Sequence, residues 1–205
     1  MVANAITLSR LLLLAVCLYL LYQPGFTVKV IAFVLVAIII LLDGIDGIVA
    51  RNRGEESALG SVLDIAIDRV VENVFWIAFV DLGLVPVWVS IIVITRGILT
   101  DAVRGFALAR GMTAFEMMQS EWGRRLVSGR FMRGLYGFAK ATVFSALVAV
   151  FALQDLWASS ENARFLPPLE TAVFLLVLLT VSLTIIRGLP VLIESRRLFE
   201  DPTIS

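Results

Sequence analysis

The stretch that decides the fold is Asp43-Gly44-Ile45-Asp46-Gly47-Ile48-Val49-Ala50-Arg51, followed after eight residues by Gly60, then Asp64 and Asp68. It joins two long apolar runs. A predominantly apolar stretch of ~20 residues reads as a membrane-crossing helix. Each ionisable group near the centre of such a helix costs at least ~2.5 kcal/mol on insertion scales. Four aspartates on two consecutive helices therefore need a physical reason. Asp43 and Asp46 are three residues apart, and Asp64 and Asp68 four apart, so each pair shares a helix face. The two helices run in opposite directions, which brings both pairs to one level. Asp43 is 14 residues beyond Lys29, or ~21 Å along the axis, just inside the inner boundary of a ~30 Å core. Carboxylates gathered there repel one another unless cations lie between them. The expectation is a one- or two-metal site in an inward-facing cavity.

Working outward, the sequence predicts six transmembrane helices: 5–22, 27–51, 57–80, 85–110, 131–153 and 168–187. Of 205 residues, 60% are hydrophobic and 17% charged, with a mean hydropathy of +0.95. Soluble domains are nearer half apolar and a quarter charged. An all-α integral membrane protein of one domain, residues 1–205, follows. The first helix has one early positive charge, Arg10, and no small-residue cleavage site before Gln23-Pro24, so it reads as retained. Expected outer segments carry only Lys29 and Arg164, whereas inner ends and loops carry Arg10, Arg51, Arg53, Arg110, Arg124, Arg125, Arg130, Arg133, Arg196 and Arg197. That asymmetry puts both termini in the cytoplasm and the active site on the cytoplasmic side of the cytoplasmic membrane.

Basic and acidic residues balance at 17 each, so no bulk attraction to a nucleic-acid polymer is expected. One cysteine excludes an intrachain disulfide, and the absence of histidine excludes histidine bases and His-ligated zinc. Oxygen ligands favour a hard cation, magnesium, manganese or calcium. Gly44, Gly47, Ala50 and Gly60 have two readings: close helix packing, or room left beside the carboxylates for a bulky nucleotide, with Arg51 placed near its phosphates. Composition leaves both open.

The string Asp43-x-x-Asp46-Gly47-x-x-Ala50-Arg51-x8-Gly60-x-x-x-Asp64-x-x-x-Asp68 resembles the signature of the CDP-alcohol phosphatidyltransferase family at all eight fixed positions. The resemblance implies transfer of a phosphatidyl or similar group from a CDP-linked lipid to an alcohol, with release of CMP. It implies Asp43, Asp46 and Asp64 as metal ligands for two Mg2+ (or Mn2+) ions. Asp68 is implied as the general base that also touches the metal pair. Gly47, Ala50, Arg51 and Gly60 would border the CDP moiety. A homodimer is also implied.

The opening Asn4-x-x-Thr7-x-x-Arg10 is similar to that of the phosphatidylglycerophosphate synthase branch, where Asn4 and Thr7 would reach the nucleotide; a helix cap explains the same residues. Arg96 and Arg104 keep that branch's Arg-x7-Arg spacing. Gly137-Phe138-Ala139-Lys140 is similar to its G-K-x-K stretch, with Phe138 in place of the first lysine. Gly97 stands where the branch has glutamate. Arg96, Arg104 and Lys140, with Arg187 as a further candidate, form the expected binding wall for an acceptor phosphate. The alternative for the wall is an Asp101–Arg104 pair with Lys140 snorkelling.

The partners expected are CDP-diacylglycerol (or an archaeol-based donor), membrane lipid and a small phosphorylated alcohol, with glycerol 3-phosphate first. Inositol phosphate, serine or another alcohol is the alternative within the family. A divalent-cation transporter, an intramembrane prenyltransferase and a non-catalytic helper are the alternatives outside it. The transporter needs no Gly47, Ala50, Arg51 and Gly60 at fixed offsets. The prenyltransferases carry their Asp motifs far apart, and a helper has no need of four aspartates.

Overall fold

The computed structural model describes residues 2–54, 57–111 and 120–195. All regular structure there is helical: α1 (Val2–Leu21), α2 (Phe26–Arg53), α3 (Ala58–Asp81), α4 (Val87–Ala109), α5 (Glu121–Ser128), α6 (Arg130–Trp157) and α7 (Leu166–Glu194), with a 3-10 turn at Glu161–Phe165 before α7. Four stretches are long and apolar enough to cross a membrane: Asn4–Leu21, Phe26–Ile45, Glu121–Trp157 and Glu161–Glu194. Helices α3 and α4 have 24 and 23 residues, enough for ~35 Å at 1.5 Å per residue. They also carry Asp64, Asp68, Arg69 and Glu72, and Arg96, Asp101 and Arg104. Length qualifies these two and composition alone does not. The chain is a membrane protein built from apolar helices.

The helices divide into two compact units. The first holds α1, α2, α3, the later part of α6 and the start of α7. Its core is a ring cluster. Phe75, Trp76 and Phe79 of α3 are fully buried against Phe144 of α6, with ring centroids 5.1–5.5 Å apart across the α3–α6 contact. Edge-to-face rings at such separations add to the area they bury. Helix α1 turns into α2 through Gln23-Pro24-Gly25, and Gly25 takes φ 112°, a left-handed value that glycine adopts without strain.

The end of this unit at that turn is tied by polar side chains. Tyr22 donates to Asp81 at 2.6 Å. Asp155 of α6 accepts the Gly25 N–H at 2.8 Å and pairs with Lys29 at 2.8 Å. Lys29, counted with the outer segment, lies in the first turn of α2, inside the helix expected from residue 27. Its ammonium sits 3.4 Å from the centroid of the Phe151 ring. Neutral Tyr22 is favoured by its hydrogen bond to Asp81, then by burial and the Asp81 charge, so its pKa is raised.

The second unit holds α4, α5, the start of α6 and the later part of α7. Ala107, Val127 and Val191 form its apolar centre, with Val103 and Phe106 packed against it. Helix α5 is seated there by Val127 and by its N-cap Ser120, whose hydroxyl accepts the Gly123 N–H and donates to Glu194 of α7. Helix α7 runs past the expected end at Arg187, through Pro190, to Glu194. Outward faces of both units stay apolar, as at Leu12, Leu41, Ile77, Ile98, Leu108 and Phe138, which suits hydrocarbon rather than water.

Candidate active site

In the first unit, α1, α2 and α3 converge on the carboxylates. Asp43, Asp64 and Asp68 each offer an oxygen, and the three oxygens lie within 4.8 Å of one another. A hard cation with metal–oxygen distances of about 2.0–2.6 Å spaces its ligands by up to about 4–5 Å. The donor set therefore fits a divalent cation in both chemistry and span. The side chains of Asp46, Gly47 and Ala50 lie outside the described residues.

Arg10 stands inside this cluster. Its Nη2 lies 2.7 Å from Asp43 Oδ1 and 2.8 Å from Asp68 Oδ1, and its Nη1 is 3.8 Å from Asp64 Oδ1. The guanidinium side chain is 3% exposed, whereas the carboxylates are 42–45% exposed. The cluster thus has a closed side, filled by Arg10, and an open side from which an ion or a phosphate can approach. In the sequence Arg10 reads only as an inner positive charge and as part of the opening motif.

The rest of the α1 motif follows the same face. Helix α1 begins at Val2, so Asn4 lies inside its first turn and is not a cap. Thr7, one turn on, is buried. Asn4 approaches α3 at Gly60: a methyl group built on Gly60 would lie 3.1 Å from Asn4 Oδ1 and 3.0 Å from Ser57 Oγ. Ser57 caps α3 by accepting the Gly60 N–H. Gly60 is therefore a close-packing position. Gly44 is different, because a methyl group there meets nothing within 4 Å. The two readings of the glycines divide between them: packing at Gly60, open space beside Asp43 at Gly44. Arg51, in the last turns of α2, is exposed.

In the second unit the expected basic wall is organised around Tyr136 of α6, which sequence reading did not single out. Its buried ring faces three cations: Lys140 Nζ at 5.2 Å from the centroid, Arg187 Cζ at 4.9 Å and Arg96 Cζ at 5.9 Å. Thr184 donates to the Tyr136 hydroxyl at 3.2 Å, and Arg187 donates to the Val127 carbonyl at 3.4 Å. Gly188 leaves room for Arg96, since a methyl group there would come within 2.7 Å of Arg96 Cγ. Arg104 lies 3.9 Å from Asp101, one turn away, so that ion pair forms as the alternative reading expects. Lys140 lies over the Tyr136 ring. The structure brings Arg96, Lys140 and Arg187 to one ring and leaves Arg104 with Asp101.

Comparison with known proteins supplies the family. The family model of CDP-alcohol phosphatidyltransferases matches residues 1–194. A protein named probable phosphatidylglycerophosphate synthase from Mycobacterium tuberculosis (strain H37Rv) is 29% identical over 127 residues, covering 60% of this chain and 58% of that protein. The cardiolipin synthase (CMP-forming) of Rattus norvegicus is 32% identical over 102 residues, 49% of this chain and 33% of the relative. The archaetidylinositol phosphate synthase of Aeropyrum pernix is 30% identical over 97 residues, 47% and 50%. The chain thus spans between a third and about three-fifths of the curated relatives it matches. A family match over nearly the full length makes this chain a member of the CDP-alcohol phosphatidyltransferase family.

Proposed function

We propose that this protein transfers a phosphatidyl group from CDP-diacylglycerol to a phosphorylated alcohol, glycerol 3-phosphate first, and releases CMP. The observation that carries the reading is the Asp43–Asp64–Asp68 cluster, whose oxygens lie within 4.8 Å of one another at the signature positions of the family. The acceptor oxygen attacks the lipid-bearing β-phosphorus, the bond from that phosphorus to the CMP oxygen breaks, and CMP leaves with the bonding pair. Asp68 takes the proton of the acceptor hydroxyl. Asp43, Asp46 and Asp64 would hold two Mg2+ or Mn2+ ions, with Asp68 also able to reach them. Bound divalent ions supply positive charge against the charge that builds on the departing phosphate. Asn4, Thr7, Gly47, Ala50, Arg51 and Gly60 border the CDP moiety. The open space at Gly44 supports room for it.

Arg96, Arg104 and Lys140, joined by Arg187, supply the positive charge that a phosphorylated acceptor needs. Three of these four share the Tyr136 ring. Cations so close repel, and an added phosphate relieves that repulsion. The name of the Mycobacterium relative favours glycerol 3-phosphate, and that of the Aeropyrum relative makes inositol phosphate the second choice. A cation path is disfavoured by Arg10, which places a fixed positive charge among the carboxylates such a path would use. The protein acts as a single domain with six spans, both termini and the active site on the cytoplasmic side of the cytoplasmic membrane, and as a homodimer. The distribution of Lys and Arg supports the orientation.

The test is CMP release by purified protein with CDP-diacylglycerol, Mg2+ and a panel of alcohols. Glycerol 3-phosphate is expected to give the highest kcat/KM, and excess chelator is expected to stop the reaction. Use of unphosphorylated alcohols alone would refute the acceptor. Absence of CMP release with every alcohol would refute the transferase reading.

A further inference from the structure

Three carboxylates and one guanidinium do not balance. Asp43, Asp64 and Asp68 bring three negative charges, and Arg10 brings one positive charge in contact with all three. Among the described residues this leaves an excess of negative charge, which divalent cations can offset. Arg10 is also the buried partner, 3% exposed against 42–45% for the carboxylates, so it cannot swing to water without giving up its burial. Its Nη2 bridges α2 and α3 at 2.7 and 2.8 Å, distances of charge-assisted hydrogen bonds.

We propose that Arg10 is a tethered counter-cation and a positioning residue of the carboxylate site. In the metal-free protein its guanidinium holds Asp43 and Asp68 together against their repulsion. It remains on the closed side when a divalent ion enters from the open side, so that guanidinium and ion share the compensation of the carboxylates. Arg10 contributes no proton and no ligand to the reaction; it acts through Asp43 and Asp68. The inference rests on the metal-site part of the proposed function and on no property of the lipid donor or the alcohol.

Two consequences separate this role from simple helix packing. First, Arg10 matters most when no metal is bound, because the ion takes over part of the charge compensation. Second, the charge matters more than the shape. The experiment is thermal unfolding of purified wild type, Arg10→Gln and Arg10→Lys in mild detergent, each in excess chelator and in saturating Mn2+ without nucleotide. In chelator, Arg10→Gln should unfold ~5 °C or more below wild type, as expected for removing the buried partner of an ion cluster. Saturating Mn2+ should at least halve that deficit, because the variant gains more from the ion than wild type does. Arg10→Lys should recover more than half of the loss in chelator, and it remains informative if the glutamine variant does not fold.

A deficit of equal size with and without Mn2+ overturns the proposal and leaves Arg10 a packing residue. So does an Arg10→Lys variant as unstable in chelator as Arg10→Gln. Wild type that gains no stability from Mn2+ overturns the metal-site reading as well. Wild type that gains stability while the variants lose equally in both conditions overturns only the role of Arg10.

Discussion

Replacing Asp155 by alanine should destabilise the protein more than replacing its partner Lys29 by methionine. The two side chains meet at 2.8 Å, but their surroundings differ: the Lys29 side chain is 6% exposed and that of Asp155 is 29% exposed. Removing the partner of a fully buried charge costs about 3–5 kcal/mol. Partial water access at this pair lowers the expectation for Asp155→Ala to about 2 kcal/mol, part of it from the Gly25 N–H that Asp155 also accepts. Lys29→Met keeps an aliphatic stem on the Phe151 ring and leaves an acid that reaches water and keeps the Gly25 N–H. Its cost is about 1 kcal/mol or less, mostly the lost contact of the ammonium with the ring. At about 2–4 °C per kcal/mol for a chain of this size, the shifts are ~4–8 °C and ~2–4 °C. The assay is thermal unfolding in mild detergent at one scan rate, with the double variant included. The double variant should fall near Lys29→Met alone, since the stranded ammonium is gone. A larger loss for Lys29→Met, or strictly additive losses, would refute the reasoning.

Asp43→Asn, Asp46→Asn and Asp64→Asn should weaken Mn2+ binding together with turnover, whereas Asp68→Asn should lose turnover and keep more of the CDP-lipid affinity; equilibrium binding and CMP release separate the two. Lys140→Ala and Arg187→Ala should each raise the KM for the phosphorylated alcohol by ~10-fold or more, the worth of one charge-assisted contact, and change the KM for CDP-diacylglycerol far less, as initial rates against each substrate will show. Tyr22→Phe should cost at most ~1 kcal/mol at neutral pH. The Tyr22 pKa is raised by Asp81, so its contribution is fully present below the ordinary tyrosine value of ~10 and is lost as pH rises through the folded value. Unfolding of the two proteins should therefore converge in alkaline buffer.

The sequence carried the long elements well where punctuation and pattern coincide. Gln23-Pro24-Gly25 ended the first helix within a residue or two of its observed end at Leu21. The spacing of Asp43, Asp64 and Asp68 foretold their convergence, because helix periodicity and antiparallel direction fix it. Helix α5 escaped notice because eight residues with Trp122, Arg124 and Arg125 on them offer no apolar run. Helix α7 continues past the expected end at Arg187, through Gly188 and Pro190, to Glu194. Arg10 and Tyr136 were missed as site residues for a shared reason. An arginine near a helix end looks the same whether it reaches for water or for a carboxylate 58 positions away. A tyrosine in an apolar helix likewise does not announce which cations will gather on its ring.

Helix α3 is held at its two ends by forces that answer differently to ionic strength. Toward Asp81, stacked and edge-on rings of Phe75, Trp76 and Phe79 grip Phe144, and dissolved ions hardly touch such contacts. Toward Ala58, Asp64 and Asp68 are joined to α1 through a single guanidinium, with carboxylates nearly half open to solvent. Electrolyte at 0.15 M screens charges over a distance of ~8 Å, and at 1 M over ~3 Å. Rising salt weakens the carboxylate end more than the ring end, although the buried guanidinium and its 2.8 Å contact with Asp68 limit the effect. The carboxylates sit at the end that electrolyte can reach.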